Sequence, residues 1–111
     1  MPAKHLLQGE DRKYQLLFED HPQPMWVIDP AEREILEANA AAEELYGHTR
    51  EQFRGMSLEA VLVSEPAGAP GDPRRHRTRM GRIIDVEMVH YPIDFGGHAA
   101  DLVVLVDVTG G

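Results

Sequence analysis

Past Arg82 the chain settles into a period of two. In RIIDVEMVHYPI, Ile84, Val86, Met88 and His90 fall on one side, and Ile83, Asp85, Glu87, Val89 and Tyr91 on the other. In HAADLVVLVDVT, five apolar residues run unbroken from Leu102 to Val106, the pattern of a central strand buried on both faces. Asp94-Phe95-Gly96-Gly97 joins the two, with glycines where a hairpin needs positive φ. The pattern predicts a long hairpin, and it requires upstream sequence to cover both sides of the sheet.

Upstream the period lengthens. Tyr14, Leu17 and Phe18 form an apolar stripe that predicts an amphipathic helix over Glu10–Asp20, with Glu10 and Asp11 at its positive end. His21-Pro22-Gln23-Pro24 stops it, because proline disfavours helix at the residue before it. Short strands are predicted at Met25–Asp29 and Ile35–Ala38, around a turn at Pro30–Glu34. Asn39 is a suitable N-cap for a helix Ala40–Tyr46 that Gly47 ends. Thr49 and Gln52 have capping-box spacing for a second short helix toward Phe53, and Ser57 opens a third with Leu58, Val61 and Leu62 inward. Ser64–Pro73, with three prolines and two glycines in ten residues, is a predicted loop. Arg74–Met80 is a last strand leading through Gly81 into the hairpin. Strands at both ends with helices between them indicate an α+β fold, an antiparallel sheet covered by helices.

Composition narrows the function. At 111 residues the chain holds one core, and 42% hydrophobic residues exclude a disordered segment. A formal charge of −8 argues against nucleic acid, whose phosphates need a basic surface. No apolar run approaches the roughly twenty residues of a membrane span, and MPAKHLLQGEDRKY has no signal-peptide core. Zero cysteines exclude disulfides, thiolate metal sites and cysteine nucleophiles, and suit a cytoplasmic location.

Three stretches resemble the PAS sensory domain: YQLLFEDHPQPMWVIDP, ILEANAAAEELYGHTREQFRGMSL, and RHRTRMGRIIDVEMVHYPIDFGGHAADLVVLVDVT. They span Tyr14 to Thr109, and the A-N-x-A-A-x-x-L-Y-G segment and terminal Asp107-Val108-Thr109 are the most family-specific parts. The resemblance implies a five-stranded sheet of order 2-1-5-4-3 with short helices on one face and an N-terminal flanking helix. It also implies a bacterial signalling context, upstream of a histidine kinase, diguanylate cyclase or phosphodiesterase. There a small ligand or partner is sensed and the signal leaves through Asp107 and Thr109. Two features depart from the family. Arg79-Met80-Gly81 stands where the family usually has Lys-Asp-Gly. SEPAGAPGDP replaces the long helix that often walls a cofactor pocket. Haem-binding relatives use a histidine on that helix, and light-sensing ones use a cysteine. These departures from the family disfavour haem and flavin here, with no cofactor expected and a small organic ligand the remaining option.

Catalytic chemistry finds no constellation. Ser57 and Ser64, the only serines, lie in no G-x-S-x-G, and neither H-E-x-x-H nor a Gly-rich phosphate loop occurs. Asp85 and Glu87 share a strand face and form a conceivable acid/base pair, but solvated carboxylates on an outer face are the plainer reading. The six histidines show no metal spacing. His90 shares a face with Ile84, Val86 and Met88, so it is either a ligand- or pH-responsive group or a satisfied rim histidine. Arg74, Arg75, Arg77, Arg79 and Arg82 are either an anion-facing cluster or a charged edge strand that resists pairing with other chains.

The expected organisation is a flanking and dimerisation helix over 1–21, the PAS domain over 22–109, and the start of a linker to an output domain at 110–111. The chain is expected to be a non-enzymatic sensory module. Its pocket is expected at Trp26, Ile28, Leu45, Tyr46, Leu58, Leu62, Val86, Met88, His90 and Leu105. Its homodimer interface is expected at Tyr14, Leu17, Phe18, Tyr91 and Val104, because the outward apolar residues exceed what one helix covers. A ligand-free protein-interaction module is the alternative. A small hydrolase or isomerase is a third reading, which lacks its catalytic residues.

Overall fold

The computed structural model describes residues 15–63 and 73–109. In chain order the elements are a π-type turn (Gln15–Glu19), β1 (Met25–Asp29), β2 (Glu34–Ala38), α1 (Ala40–Tyr46) and α2 (Arg50–Phe53). A 3₁₀ turn (Leu58–Ala60), β3 (Arg74–Arg77), β4 (Ile83–Phe95) and β5 (His98–Asp107) follow. The expected helix over Glu10–Asp20 lies partly outside the described residues, Tyr14 included. Its described end is one wide turn, cut short by the prolines at 22 and 24.

The five strands form one antiparallel sheet of order β2-β1-β5-β4-β3. Gly96 and Gly97, at φ 60° and 85°, make the two-residue turn of the β4–β5 hairpin. β5 is central, as its unbroken apolar run requires. Val103 and Leu105 sit in the core under the helices, while Leu102 and Val104 pack on the other side.

β3 ends at Arg77, earlier than the expected Met80. The Thr78 N–H turns back to the Arg82 carbonyl (2.8 Å), and Gly81 takes a φ of 90°. From Arg74 opposite Val86 to Arg77 opposite Ile83, β3 pairs with Ile83–Val86. The Leu105 N–H bonds the Pro24 carbonyl on the β1 side (2.9 Å), so its pair with Met88 carries no hydrogen bonds. By alternation, the backbone groups of Met88, His90, Pro92 and Asp94 turn away from β5, where no described strand meets them. The other edges are occupied. Gly55–Leu58 bonds along β2, and Val61 and Val63 bond along β3.

Asn39 ties the front of the domain together. Its Oδ1 accepts from Ala42 N–H (3.0 Å), capping α1, and from Met25 N–H (2.9 Å). Its Nδ2 donates to the Phe18 and Gln23 carbonyls, both at 2.9 Å. The knot holds the N-terminal turn over the outer sheet face. There Phe18 is buried with Met25, Val27 and Ala100.

Candidate functional site

The inner sheet face carries a layer of rings. Trp26 of β1 stacks on Tyr46 of α1 at 5.3 Å between centroids and on His76 of β3 at 5.8 Å, with Phe53 edge-on to both Trp26 and Tyr46. All four are essentially buried. The Tyr46 hydroxyl and His76 Nδ1 are hydrogen-bonded at 2.7 Å, while His76 Nε2 and Trp26 Nε1 meet no partner among the described residues. Burial lowers the His76 pKa to about 4, so its imidazole is neutral. Burial, aided by the Asp107 carboxylate, pushes the Tyr46 hydroxyl far above the ordinary tyrosine range.

Beside this layer lies a groove of about 310 Å³, at the small end of ligand pockets. Trp26, Ile28, Leu58, Leu62 and Met88 supply its apolar lining, and Arg33, Arg74 and His90 its polar groups. Of the pocket residues expected from sequence, Trp26, Ile28, Leu58, Leu62, Met88 and His90 therefore meet. Tyr46, Val86 and Leu105 lie behind in the solid core, with Leu45 packed against it. His90 stands at the rim, its side chain 45% exposed and its Nδ1 3.4 Å from Asp101.

Sequence reading missed Arg33 and Arg74 as groove residues. Alternation had a signal for Arg74, because two residues before buried His76 it faces the same side. Arg33 had none. It sits at φ 54°, a left-handed conformation unusual outside glycine, in the β1–β2 turn. The Leu58 N–H donates to its carbonyl (2.9 Å), and its guanidinium grips Glu59 at 3.0 Å. Arg75, by contrast, faces Asp85 at 3.7 Å on the outer side.

At the end of β5, the Thr109 N–H donates to Asp107 Oδ1 (2.9 Å), and the Asp85 N–H donates to Thr109 Oγ1 (2.9 Å). The Val108 N–H adds a bond to the Asp85 carbonyl (2.8 Å). The Thr109 hydrogen bonds, with help from Arg82, hold the Asp107 carboxyl below its usual range. The two residues expected at the signal exit are thus locked to β4.

The residues expected at a dimer interface divide. Leu17 is 68% and Tyr91 51% exposed, alongside Ile83 and Val89. Phe18 and Val104 instead pack against each other's cluster within the chain. Among the described residues no acidic or histidine cluster is arranged to hold a metal, and no helix is long and apolar enough to cross a membrane.

A family model described as PAS domain matches residues 12–86. The chain belongs to the PAS domain family. No curated protein matches the sequence. Solved PAS domains match the whole fold. One from a two-component sensor histidine kinase is 18% identical, with a TM-score of 0.75 over 90% of this chain and 97% of that one. The PAS domain of an HTR-like protein from Haloarcula marismortui is 20% identical, with a TM-score of 0.74 over 96% and 97%. That of nitrogen regulation protein NR(II) from Vibrio parahaemolyticus is 17% identical, with a TM-score of 0.66 over 83% and 94%. At these identities the likeness is one of fold. The sheet order and short helices of this PAS domain are those the sequence motifs implied.

Proposed function

We propose that this PAS domain is a non-enzymatic sensory module of a bacterial, cytoplasmic signalling protein, a histidine kinase or a cyclic-di-GMP enzyme. A small molecule is received in the groove beside Trp26, and the change is relayed through Asp107 and Thr109 to an output domain. The observation that carries this reading is the continuity of β4. One strand lines the groove at Met88 and His90, and at Asp85 it is bonded to Thr109 and Val108. A shift of β4 that admits a ligand therefore bears directly on the exit. The likeness to PAS domains of sensor histidine kinases supports the choice of output.

A large cofactor has no part in the proposal. Trp26, Tyr46, Phe53 and His76 fill the interior, and the chain has no cysteine. The second reading, a ligand-free interaction module, draws on that same filled core. Native mass spectrometry of the purified chain, with an absorption spectrum, separates the two. A retained small molecule on a colourless homodimer is the expected result. A bare protein throughout favours the interaction module, and a stoichiometric haem or flavin band overturns both.

A further inference from the structure

On a chain of net charge −8, the groove wall carries two arginines and a histidine, with no carboxylate among the described residues that line it. Arg33 is partly neutralised by Glu59, and His90 faces Asp101. Arg74 differs, since no carboxylate stands within ion-pairing distance of it among the described residues. It lies on the inner-facing side of β3, opposite Val86 of β4. The rest of the lining, Ile28, Leu58, Leu62 and Met88, is hydrocarbon or thioether. Trp26 also lines this wall, and its buried indole N–H has no acceptor among the described residues. A buried donor left unmet costs about 1–3 kcal/mol, which an acceptor on a bound molecule would recover.

We infer that the groove binds a small organic monocarboxylate with an apolar body. This rests on the reading of the groove as the signal-receiving site, and it names the class of signal. The carboxylate pairs with the Arg74 guanidinium, whose fork matches two oxygens. Arg33 adds positive potential from across the groove, and the body lies on Met88, Leu58 and Ile28. A bare inorganic anion would leave that apolar surface wet. A neutral body would leave Arg74 without its partner.

The test is titration calorimetry with 3-phenylpropionate, 3-phenylpropanamide and inorganic phosphate. The carboxylate should bind roughly tenfold or more tightly than either of the others, as loss of a charge-assisted pair implies. Arg74→Gln, an exposed position whose change should leave the amide spectrum otherwise intact, should erase the preference and leave the amide's affinity unchanged. Met88→Trp, which fills the groove, should abolish binding of both organic probes. Equal binding of carboxylate and amide, equal binding of phosphate, no binding of the carboxylate, or binding that survives Met88→Trp overturns the inference. If 3-phenylpropionate fails while native mass spectrometry finds another retained molecule, the sensory reading stands without the carboxylate. If neither appears, the sensory reading falls with it.

Discussion

The interior around His76 tolerates only a neutral imidazole. Its folded pKa of about 4 lies below the roughly 6.5 of an unfolded histidine, so the unfolded chain takes up protons first as pH falls. The stability tied to this group is complete above pH 6.5, drains away between 6.5 and 4, and is flat below. Between pH 7.5 and 5 the loss should be about 2 kcal/mol. Urea unfolding across that range should show this slope in the wild type. It should shrink by that amount in His76→Gln, which keeps a hydrogen-bonding partner for Tyr46, and an unchanged slope would refute the assignment. The sequence pointed to His90 instead, because the alternation from Ile83 to Tyr91 puts it on one face with Ile84, Val86 and Met88. His76 was hidden in RRHR. A four-residue strand among charges shows its inward side only once its pairing with Ile84 is known. His90, on the correct face, is left at the rim because β3 stops before reaching it.

At the scale of elements, caps and turns were the most legible features. Asn39, Thr49 and Ser57 each accept a hydrogen bond at the start of the element they open, and Thr49 and Gln52 complete the box. Such signals are local in sequence, so spacing alone reveals them. The other three bonds of Asn39 were not readable, since they reach as far back as Phe18. They change what the residue is worth. An exposed cap contributes about 1 kcal/mol. Asn39→Ala removes a cap together with the bonds to Phe18 and Gln23, and it leaves the buried Met25 N–H without its acceptor, so its cost should be about 3 kcal/mol. Denaturant unfolding would measure it. A loss no larger than that of Thr49→Ala would show that the knot adds nothing to the cap.

For the whole molecule, the sheet order followed from family motifs and not from periodicity. β1 must find β5 about eighty residues away, and Gln23 Nε2 reaching the Leu105 carbonyl (2.6 Å) joins the same distant segments. Alternation indicates which face is apolar but not which strands are neighbours. The outer face also explains what a dimer would use. Phe18 already covers its centre, leaving Leu17, Ile83, Val89 and Tyr91 at the margin. Leu17→Asp and Tyr91→Asp should therefore convert a dimer to a monomer without unfolding it. Val104→Asp should damage the fold itself. Light scattering over a concentration series, with circular dichroism alongside, checks both. A wild type monomeric at high concentration ends the dimer idea.

The stretch of β4 beyond β3 has a consequence for solubility. A strand edge whose N–H and C=O groups lack a neighbour is a template on which a foreign chain can nucleate cross-β growth. Here the template would offer Met88, His90, Pro92 and Asp94 in turn. Proline at the third of these positions withholds the donor that an incoming ladder needs, and aspartate at the fourth makes the approach electrostatically costly. An added strand could register for little more than two residues before losing its partner. Among the described residues no strand covers this edge of β4 past Val86, beside the groove, and the sequence of β4 itself makes that edge a poor seed.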